Sequence, residues 1–504
     1  MSFVLKRETA KLLKPMTTSD SATVKNSIRV RMAPSPTGSF HVGSARTALF
    51  NYLFARHVSG QFILRVEDTD MQRNDAAYEQ VIYEAMEWLG LHSDENPLSG
   101  GPYGPYRQSE RFDLYREYAQ QLVASGAAYP AYETADELAA MKAEQAANKL
   151  PPRYNGAHRD LTAEQRAAFE AAGRKAVLRF RVPEGEIAWD DVVRGRVAWQ
   201  SKEIDDFVIQ KSDTTPTYNF ACVVDDHLMQ VSDVIRGEDG LSNTPRQIML
   251  YQALGFEVPK FAHLPFLLGR DRSKLSKRHG PVSLLDFRDQ GILPEAMFNY
   301  LSLLGWNPGE GETQEIFTRE ELIQRFTLEN VNKAGAIFDV EKLHWMNTQY
   351  LKQMPIARFI ELARPYLLEA VPDLQAEDAY TQQAINMARE RIHGIADIKD
   401  AATYFFSDNY TVDETGAAKH LTNVSKPRLE QLRQRFEALS EWNHDSIENA
   451  IRTLATDLNI KPAELIHPVR MAVSGRTVGP SVFELLAVLG RERVLRRLSG
   501  VGGR

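Results

Sequence analysis

The sequence predicts an α/β protein in which a parallel-sheet domain comes first and all-α domains close the chain. Three observations carry that expectation. Residues 29–33 alternate charged and apolar side chains as a short strand does, and Pro34-Ser35-Pro36-Thr37-Gly38 is dense enough in turn formers to stop it. Ala45, Leu49, Tyr52 and Leu53 follow at helical spacing, and Phe62-Ile63-Leu64-Arg65-Val66 reads as a second strand. The stretch is therefore a right-handed strand–helix–strand unit with parallel strands. From about residue 355 to the end the pattern is helical, with few strand signals.

Taken in order, residues 1–28 carry Lys6, Arg7, Lys11, Lys14 and Lys25 but no apolar centre of the secretory kind, so a poorly ordered extension with no assigned role is expected there. The first helix should start at His41-Val42-Gly43-Ser44, where free backbone donors suit an anion, and end near Ser59-Gly60. The second strand delivers Glu67, Asp68 and Asp70 to its carboxyl end. Open parallel sheets bind ligands at the carboxyl ends of their strands, so Arg31, Ser35, His41, Gly43 and Glu67 are candidates to share one crevice. The same residues are equally compatible with an ordinary βαβ core and a solvated histidine.

Further on, Ala77, Val81, Ala85, Trp88 and Leu89 predict a helical face that Gly90 terminates. Tyr106-Arg107-Gln108-Ser109-Glu110-Arg111 opens another helix, residues 135–149 form a polar, alanine-rich one, and residues 177–182 and 196–199 alternate as strands. Residues 231–235 read as a buried strand ending at Arg236-Gly237-Glu238-Asp239, and residues 296–304 as an apolar helix. Residues 269–280 form a basic loop with a glycine at each end, a pattern that most often marks a solvated charge run. The terminal Arg491, Arg493, Arg496 and Arg497 form a basic face, for which solvent is the default neighbour.

Composition narrows the class. A chain of 504 residues has length for several domains, and 43% hydrophobic with 25% charged residues is ordinary for a globular protein. The net charge of −7 argues against indiscriminate binding to polyanions, although a local basic cluster can still recognise RNA. Cys222 is the single cysteine, which excludes a disulfide framework within one chain and fits a reducing cytoplasm. There is no apolar run of about 18 residues that would read as a membrane span.

Residues 33–44 and Lys274-Leu275-Ser276-Lys277-Arg278 together resemble the two ATP motifs of class I aminoacyl-tRNA synthetases, and more narrowly those of bacterial glutamyl-tRNA synthetases. Thr217-Tyr218-Asn219, Arg236-Gly237-Glu238-Asp239, Ser242-Asn243-Thr244-Pro245-Arg246-Gln247 and Lys461-Pro462 extend the resemblance over nearly everything after residue 28. One position departs: the family often has histidine or tryptophan where this chain has Gly240.

The resemblance implies a Rossmann-like parallel-sheet nucleotide-binding domain at 29–106 and 208–270, split by an α+β insertion at 107–207 that grips the acceptor end of tRNA. It further implies a stem-contact region with a mobile ATP loop at 271–350 and helical anticodon-binding domains at 351–504. The implied activity is ATP-dependent ligation of L-glutamate to tRNA(Glu) through a glutamyl-adenylate. By resemblance, His41, Lys274 and Lys277 are catalytic, and Ser39, His41, Gly43, Ser44, Asp239, Lys274, Ser276 and Lys277 bind ATP. Arg31 and Arg236 with Tyr218 would hold the glutamate side-chain carboxylate, and Glu67 and Ser35 the α-ammonium. From the residues alone, Arg236 could instead pair with Glu238 or Asp239, and Tyr218 could be core.

Mg²⁺ is expected through the ATP phosphates, without a protein cage. Some family members bind zinc through cysteines near the start of the insertion; Tyr129-Pro130-Ala131-Tyr132 stands in that region here, so no zinc site is expected and the tyrosines are expected to pack. A monomer is the family's usual state. Two enzymatic relatives are disfavoured: glutaminyl-tRNA synthetases carry β-barrel anticodon domains, and the shorter enzymes that glutamylate a modified tRNA base lack an anticodon region. A catalytically silent tRNA-binding paralogue is disfavoured by the presence of His41, Gly43, Lys274 and Lys277.

Overall fold

The computed structural model describes residues 28–70, 74–309, 311–372, 374 and 378–503, so the expected extension lies outside the described residues except for Ile28. Strand β1 (Arg29–Met32), helix α1 (Val42–His57) and strand β2 (Gln61–Leu64) form the expected unit, with β1 and β2 parallel and in register from Arg29 opposite Gln61 to Met32 opposite Leu64. Helix α1 buries Ala45, Leu49 and Leu53 against the sheet. Helix α2 (Ala76–Trp88) follows, capped by the Asp75 carboxylate and stopped at Gly90, whose φ of 65° suits glycine. Its buried face is Ile82, Ala85, Met86 and Leu89, whereas Ala77 is exposed. Of the predicted face, Ala85 and Leu89 are buried and Val81 and Trp88 pack half-buried against the core, while Ile82 and Met86 add apolar area that the spacing does not mark.

An α+β insertion interrupts the sheet. It comprises α3 (Phe112–Ala124), β3 (Ala128–Ala131), α4 (Ala135–Ala147), α5 (Ala163–Ala171), β4 (Val177–Phe180), β5 (Glu186–Asp191), β6 (Gly195–Gln200) and β7 (Val208–Gln210). Strands β3, β4 and β7 make one antiparallel sheet, and β5 and β6 a hairpin. Tyr129 and Tyr132 are buried, and their hydroxyls donate to Asp206 and Glu170 at 2.7 and 2.6 Å.

The parallel fold then resumes with α6 (Tyr218–Leu228), β8 (Asp233–Gly237), α7 (Thr244–Ala253) and β9 (Lys260–Leu264), with β8 and β9 parallel. The Ser232 N–H donates to the Arg29 carbonyl at 3.0 Å and joins the two strand pairs. Beyond lie β10 (Leu267–Leu268), α8 (Leu284–Asp289), α9 (Pro294–Leu303), α10 (Arg319–Arg325), β11 (Ala336–Ile337) and α11 (Val340–Gln353). From residue 356 every regular element among the described residues is helical, around a core of its own that also takes in Leu293 and Ala296 of the preceding region.

The C-terminal arginines correct the solvent expectation. Arg497 is buried and donates to the carbonyls of Tyr404 and Ser407, Arg493 to that of Phe405 and Arg491 to that of Leu439. They satisfy orphan carbonyls at helix ends, and only Arg496 keeps mainly to the surface, paired with Asp408.

Candidate active site

The start of α1 is clamped by the chain that follows the basic loop. The Val42 N–H donates to the Val282 carbonyl at 2.9 Å, Leu284 N–H to the Phe40 carbonyl at 2.9 Å, and His41 and Ser283 form an isolated bridge. One of the first-turn donors expected to be free is thus used by the protein, because Val282 reaches it first. The N–H groups of Gly43 and Ser44 have no acceptor among the described residues. A Cβ built on Gly43 would meet no protein atom within 4 Å, so the space beyond that glycine is open to a ligand.

The basic loop is folded back on itself. Lys274 bridges Leu268, its Nζ lies 4.2 Å from the centre of the Phe266 ring, and Arg278 donates to Ser273 Oγ at 2.5 Å and pairs with Asp271 at 3.3 Å. The two glycines serve different ends. Gly280 has a φ of 114° that a side chain would strain, whereas Gly269 gives room: a Cβ there would lie 2.7 Å from the His279 ring. Lys274 and Lys277 are both exposed.

On the other wall, charge is buried and paired. Arg31 donates through Nε and Nη2 to the two oxygens of Asp226, at 3.1 and 3.4 Å. Arg65, fully buried, donates to the same Asp226 at 2.7 Å and to Glu67 at 2.9 Å. Burial alone would raise the Asp226 pKa, but Arg31 and Arg65 more than offset it and hold it at about 2. Glu67 goes the other way: burial raises it, and Arg65 offsets this only in part.

Arg236 is arranged differently. It is 8% exposed and makes no pair with Glu238 or Asp239; Glu238 pairs instead with Arg194. Its Nε donates to His263 Nε2 at 3.1 Å and its Nη2 to the Gly240 carbonyl at 3.1 Å and Thr244 Oγ1 at 2.8 Å. Its Nη1 is buried without a hydrogen-bond partner. A buried guanidinium nitrogen left unpaired at a cavity wall is a position for an anion. Tyr218, at 41% exposure, is no core residue.

One cleft of about 910 Å³ collects these groups. Arg31, Ser35, Ser39, His41, Gly43, Ser44, Glu67, Tyr218, Arg236, Asp239, Lys274, Ser276 and Lys277 all line it, so the segments carrying the two motifs share a cavity with the buried charges. Sequence reasoning missed Asp226, Arg65, Thr244, His263 and Arg46. Arg46, buried in α1 and lining the cleft, donates to the carbonyls of Leu304 and Pro265, and burial pulls its pKa down to about 10. Its position one α-helical turn after Val42 was the available signal; Asp226, which contacts Arg31, and His263 carry no local signal at all. Among the described residues no group of three or more His, Cys, Asp or Glu is placed to hold a metal, and at the start of the insertion Tyr129 and Tyr132 offer hydroxyls already bonded to Asp206 and Glu170 in place of thiolates.

Residues 27–345 match the family model for the catalytic domain of class I tRNA synthetases (E and Q), and residues 358–501 match an anticodon binding domain. The chain is 49% identical over 479 residues to a glutamate–tRNA ligase of Moorella thermoacetica, covering 94% of this chain and 97% of that one. It is 47% identical over 478 residues to one from Symbiobacterium thermophilum, covering 94% and 99%. Among solved structures, the glutamate tRNA ligase from Elizabethkingia meningosepticum in complex with its amino acid superposes with a TM-score of 0.85 at 35% identity, covering 94% of this chain and 99% of that chain. With both family models matched in order on a Rossmann-like domain followed by helical ones, the chain belongs to the glutamate–tRNA ligase family of class I aminoacyl-tRNA synthetases and is an enzyme of that family.

Proposed function

We propose that the chain ligates L-glutamate to tRNA(Glu) in two steps at the described cleft, using ATP, and acts as a monomer in the cytoplasm. In the first step a carboxylate oxygen of the α-carboxyl group attacks the α-phosphorus of ATP, the bond to the bridging oxygen breaks, and pyrophosphate leaves. In the second, a hydroxyl of the terminal adenosine of the tRNA attacks the activated carbonyl and AMP leaves. The nucleophile of the first step is already ionised, so the site has little proton transfer to arrange and works by positioning and by neutralising phosphate charge.

The roles are carried over from the family resemblance, and each suits the chemistry of its group. The amides of Gly43 and Ser44 and the side chain of His41 face the phosphates, with Ser39 and Ser276 as hydroxyl donors and Asp239 toward the nucleoside. Lys274 and Lys277 bring positive charge from the loop. Mg²⁺ bound to the phosphates supplies additional charge neutralisation. Arg236, with Arg31 and Tyr218, receives the side-chain carboxylate of the amino acid, and Glu67 with Ser35 receives its α-ammonium. The observation that carries this reading is the unpartnered Nη1 of buried Arg236 in the same cleft as both ATP segments. The test is ATP–pyrophosphate exchange with tRNA present: exchange should depend on glutamate and be far weaker with glutamine, and exchange indifferent to glutamate overturns the proposal. Aminoacylation of purified tRNA(Glu) and tRNA(Gln) side by side then defines the tRNA specificity.

A further inference from the structure

The guanidinium of Arg236 has acceptors for two of its three nitrogens, and none of those acceptors is a carboxylate. On the neighbouring strand His263, directly opposite Arg236 in register and fully buried, receives Nε. A guanidinium only donates, so His263 Nε2 is the unprotonated nitrogen and Nδ1 carries the proton. That Nδ1 lies 2.5 Å from Asp191 Oδ2. Asp191 is itself fixed, since its Oδ1 accepts from the N–H groups of Val193, Arg194 and His263 at 3.1, 2.9 and 3.1 Å. It stands at the end of β5, so the hairpin of the insertion reaches back to the β8–β9 pair.

We propose that Asp191 and His263 are positioning residues that hold Arg236 with Nη1 turned into the cleft while leaving its charge uncompensated, and so set the preference for an amino acid with a carboxylate side chain. This rests on the glutamate reading of the cleft.

The contrast with Arg31 supplies the logic. Asp226 grips Arg31 by the same kind of nitrogen pair, but a carboxylate neutralises what it holds. Imidazole, carbonyl and hydroxyl also fix the orientation of Arg236 and remove none of its charge. Asp191 makes this possible from one residue farther away by fixing the tautomer. The charged and titratable groups facing His263 are Asp191 from β5, Arg194 from the hairpin turn and Arg236 from β8, with the Thr244 hydroxyl from α7. Burial lowers the His263 pKa, Asp191 works against this, and the two arginines add to it, which keeps Nε2 an acceptor at neutral pH.

Two histidine variants separate positioning from packing. In His263→Gln the side-chain carbonyl takes the place of Nε2 and still accepts from Arg236; in His263→Asn the amide reaches only the Nδ1 position. The KM for glutamate in ATP–pyrophosphate exchange should rise about 10- to 100-fold in His263→Asn, with the KM for ATP nearly unchanged, and return most of the way in His263→Gln. Asp191→Asn keeps an oxygen for the backbone amides but presents an N–H to Nδ1. It should switch the tautomer, set Nε2–H against Nε–H of Arg236, and raise the KM for glutamate as His263→Asn does. This variant decides the matter if His263→Asn fails to fold. Wild-type exchange is measured first: no dependence on glutamate overturns the functional reading and this proposal with it. A glutamate-dependent wild type with unchanged KM in His263→Asn and Asp191→Asn, or with equal losses in His263→Gln and His263→Asn, overturns the positioning pair alone.

Discussion

Gly240 is where a single methyl group should act on the proposed amino acid site. A Cβ built there lies 2.6 Å from Arg236 Nε, 2.8 Å from its Cδ and 3.1 Å from its Cζ. Non-bonded contacts settle at about 3.5–4.0 Å, so in Gly240→Ala the guanidinium must retreat by roughly 1 Å. The bonds from Nε to His263 at 3.1 Å and from Nη2 to Thr244 at 2.8 Å and to the Gly240 carbonyl at 3.1 Å then approach or pass the limit of useful geometry. Hydrogen bonds of a charged group are worth about 1.5–3 kcal/mol each, and loss of one correctly aimed bond to substrate raises the KM for glutamate about 10- to 100-fold. Gly240 lies outside the left-handed region, so alanine adds no backbone strain and the fold should be retained. Steady-state ATP–pyrophosphate exchange with glutamate varied at saturating ATP and tRNA measures the effect. A wild-type KM for glutamate in Gly240→Ala would show that the observed placement of Arg236 is not what binds the substrate.

Three further outcomes are expected. Lys277→Ala should lower glutamate-dependent exchange about 10²- to 10³-fold, as loss of one phosphate donor does, while tRNA affinity by filter binding stays close to wild type. Asp226→Asn leaves three buried guanidiniums, Arg31, Arg65 and Arg111, with two carboxylates, Glu67 and Asp225, and should cost about 3–5 kcal/mol in urea unfolding. Asp226 is held at about 2 against an ordinary 3.8, so its ionised form contributes about 2 kcal/mol that is fully present above the unfolded value and is lost as pH falls through the folded one. The stability gap between wild type and Asp226→Asn should therefore narrow by about 2 kcal/mol on acidification. Excess EDTA should stop exchange and added Mg²⁺ restore it without zinc, since the cation is expected to arrive with ATP.

The βαβ unit was legible because its information is local: the spacing of Ala45, Leu49 and Leu53 and the turn formers at 34–38 act within a few residues of one another. The helical end of the chain was legible for the same reason. What the sequence hid is decided by long-range pairing. Asp226 lies 195 residues from the Arg31 it grips, and His263 lies 72 from Asp191; neither distance leaves a periodic mark. In β3 a proline in the short run Ala128–Ala131 masks a strand that is completed only when β4 pairs with it. In the final helix Arg497 looks like a surface cation, because nothing near it in sequence announces the carbonyls of Tyr404 and Ser407. The motif residues of the cleft could be named from resemblance, yet the difference between a neutralised Arg31 and an uncompensated Arg236 required their partners to be seen.

That difference bears on how the proposed site would tell glutamate from glutamine. Arg31, Arg65 and Arg111 are matched by Glu67, Asp225 and Asp226, with Arg111 Nε 2.7 Å from Asp225 Oδ1 and Arg65 spanning Glu67 and Asp226. Within this group Glu67 is the least compensated carboxylate, since burial raises its pKa and Arg65 reaches only one of its oxygens. Across the cleft, Arg236 is held without a carboxylate partner among the described residues. An amino acid that carries an ammonium at one end and a carboxylate at the other completes both ends at once, and each contact is made by a buried side chain, where it is worth more than in water. Glutamine completes only the Glu67 end. Its amide offers Arg236 one neutral oxygen and no charge, so the cost of keeping that guanidinium desolvated is no longer offset, and the discrimination comes from a cation the protein has positioned without neutralising.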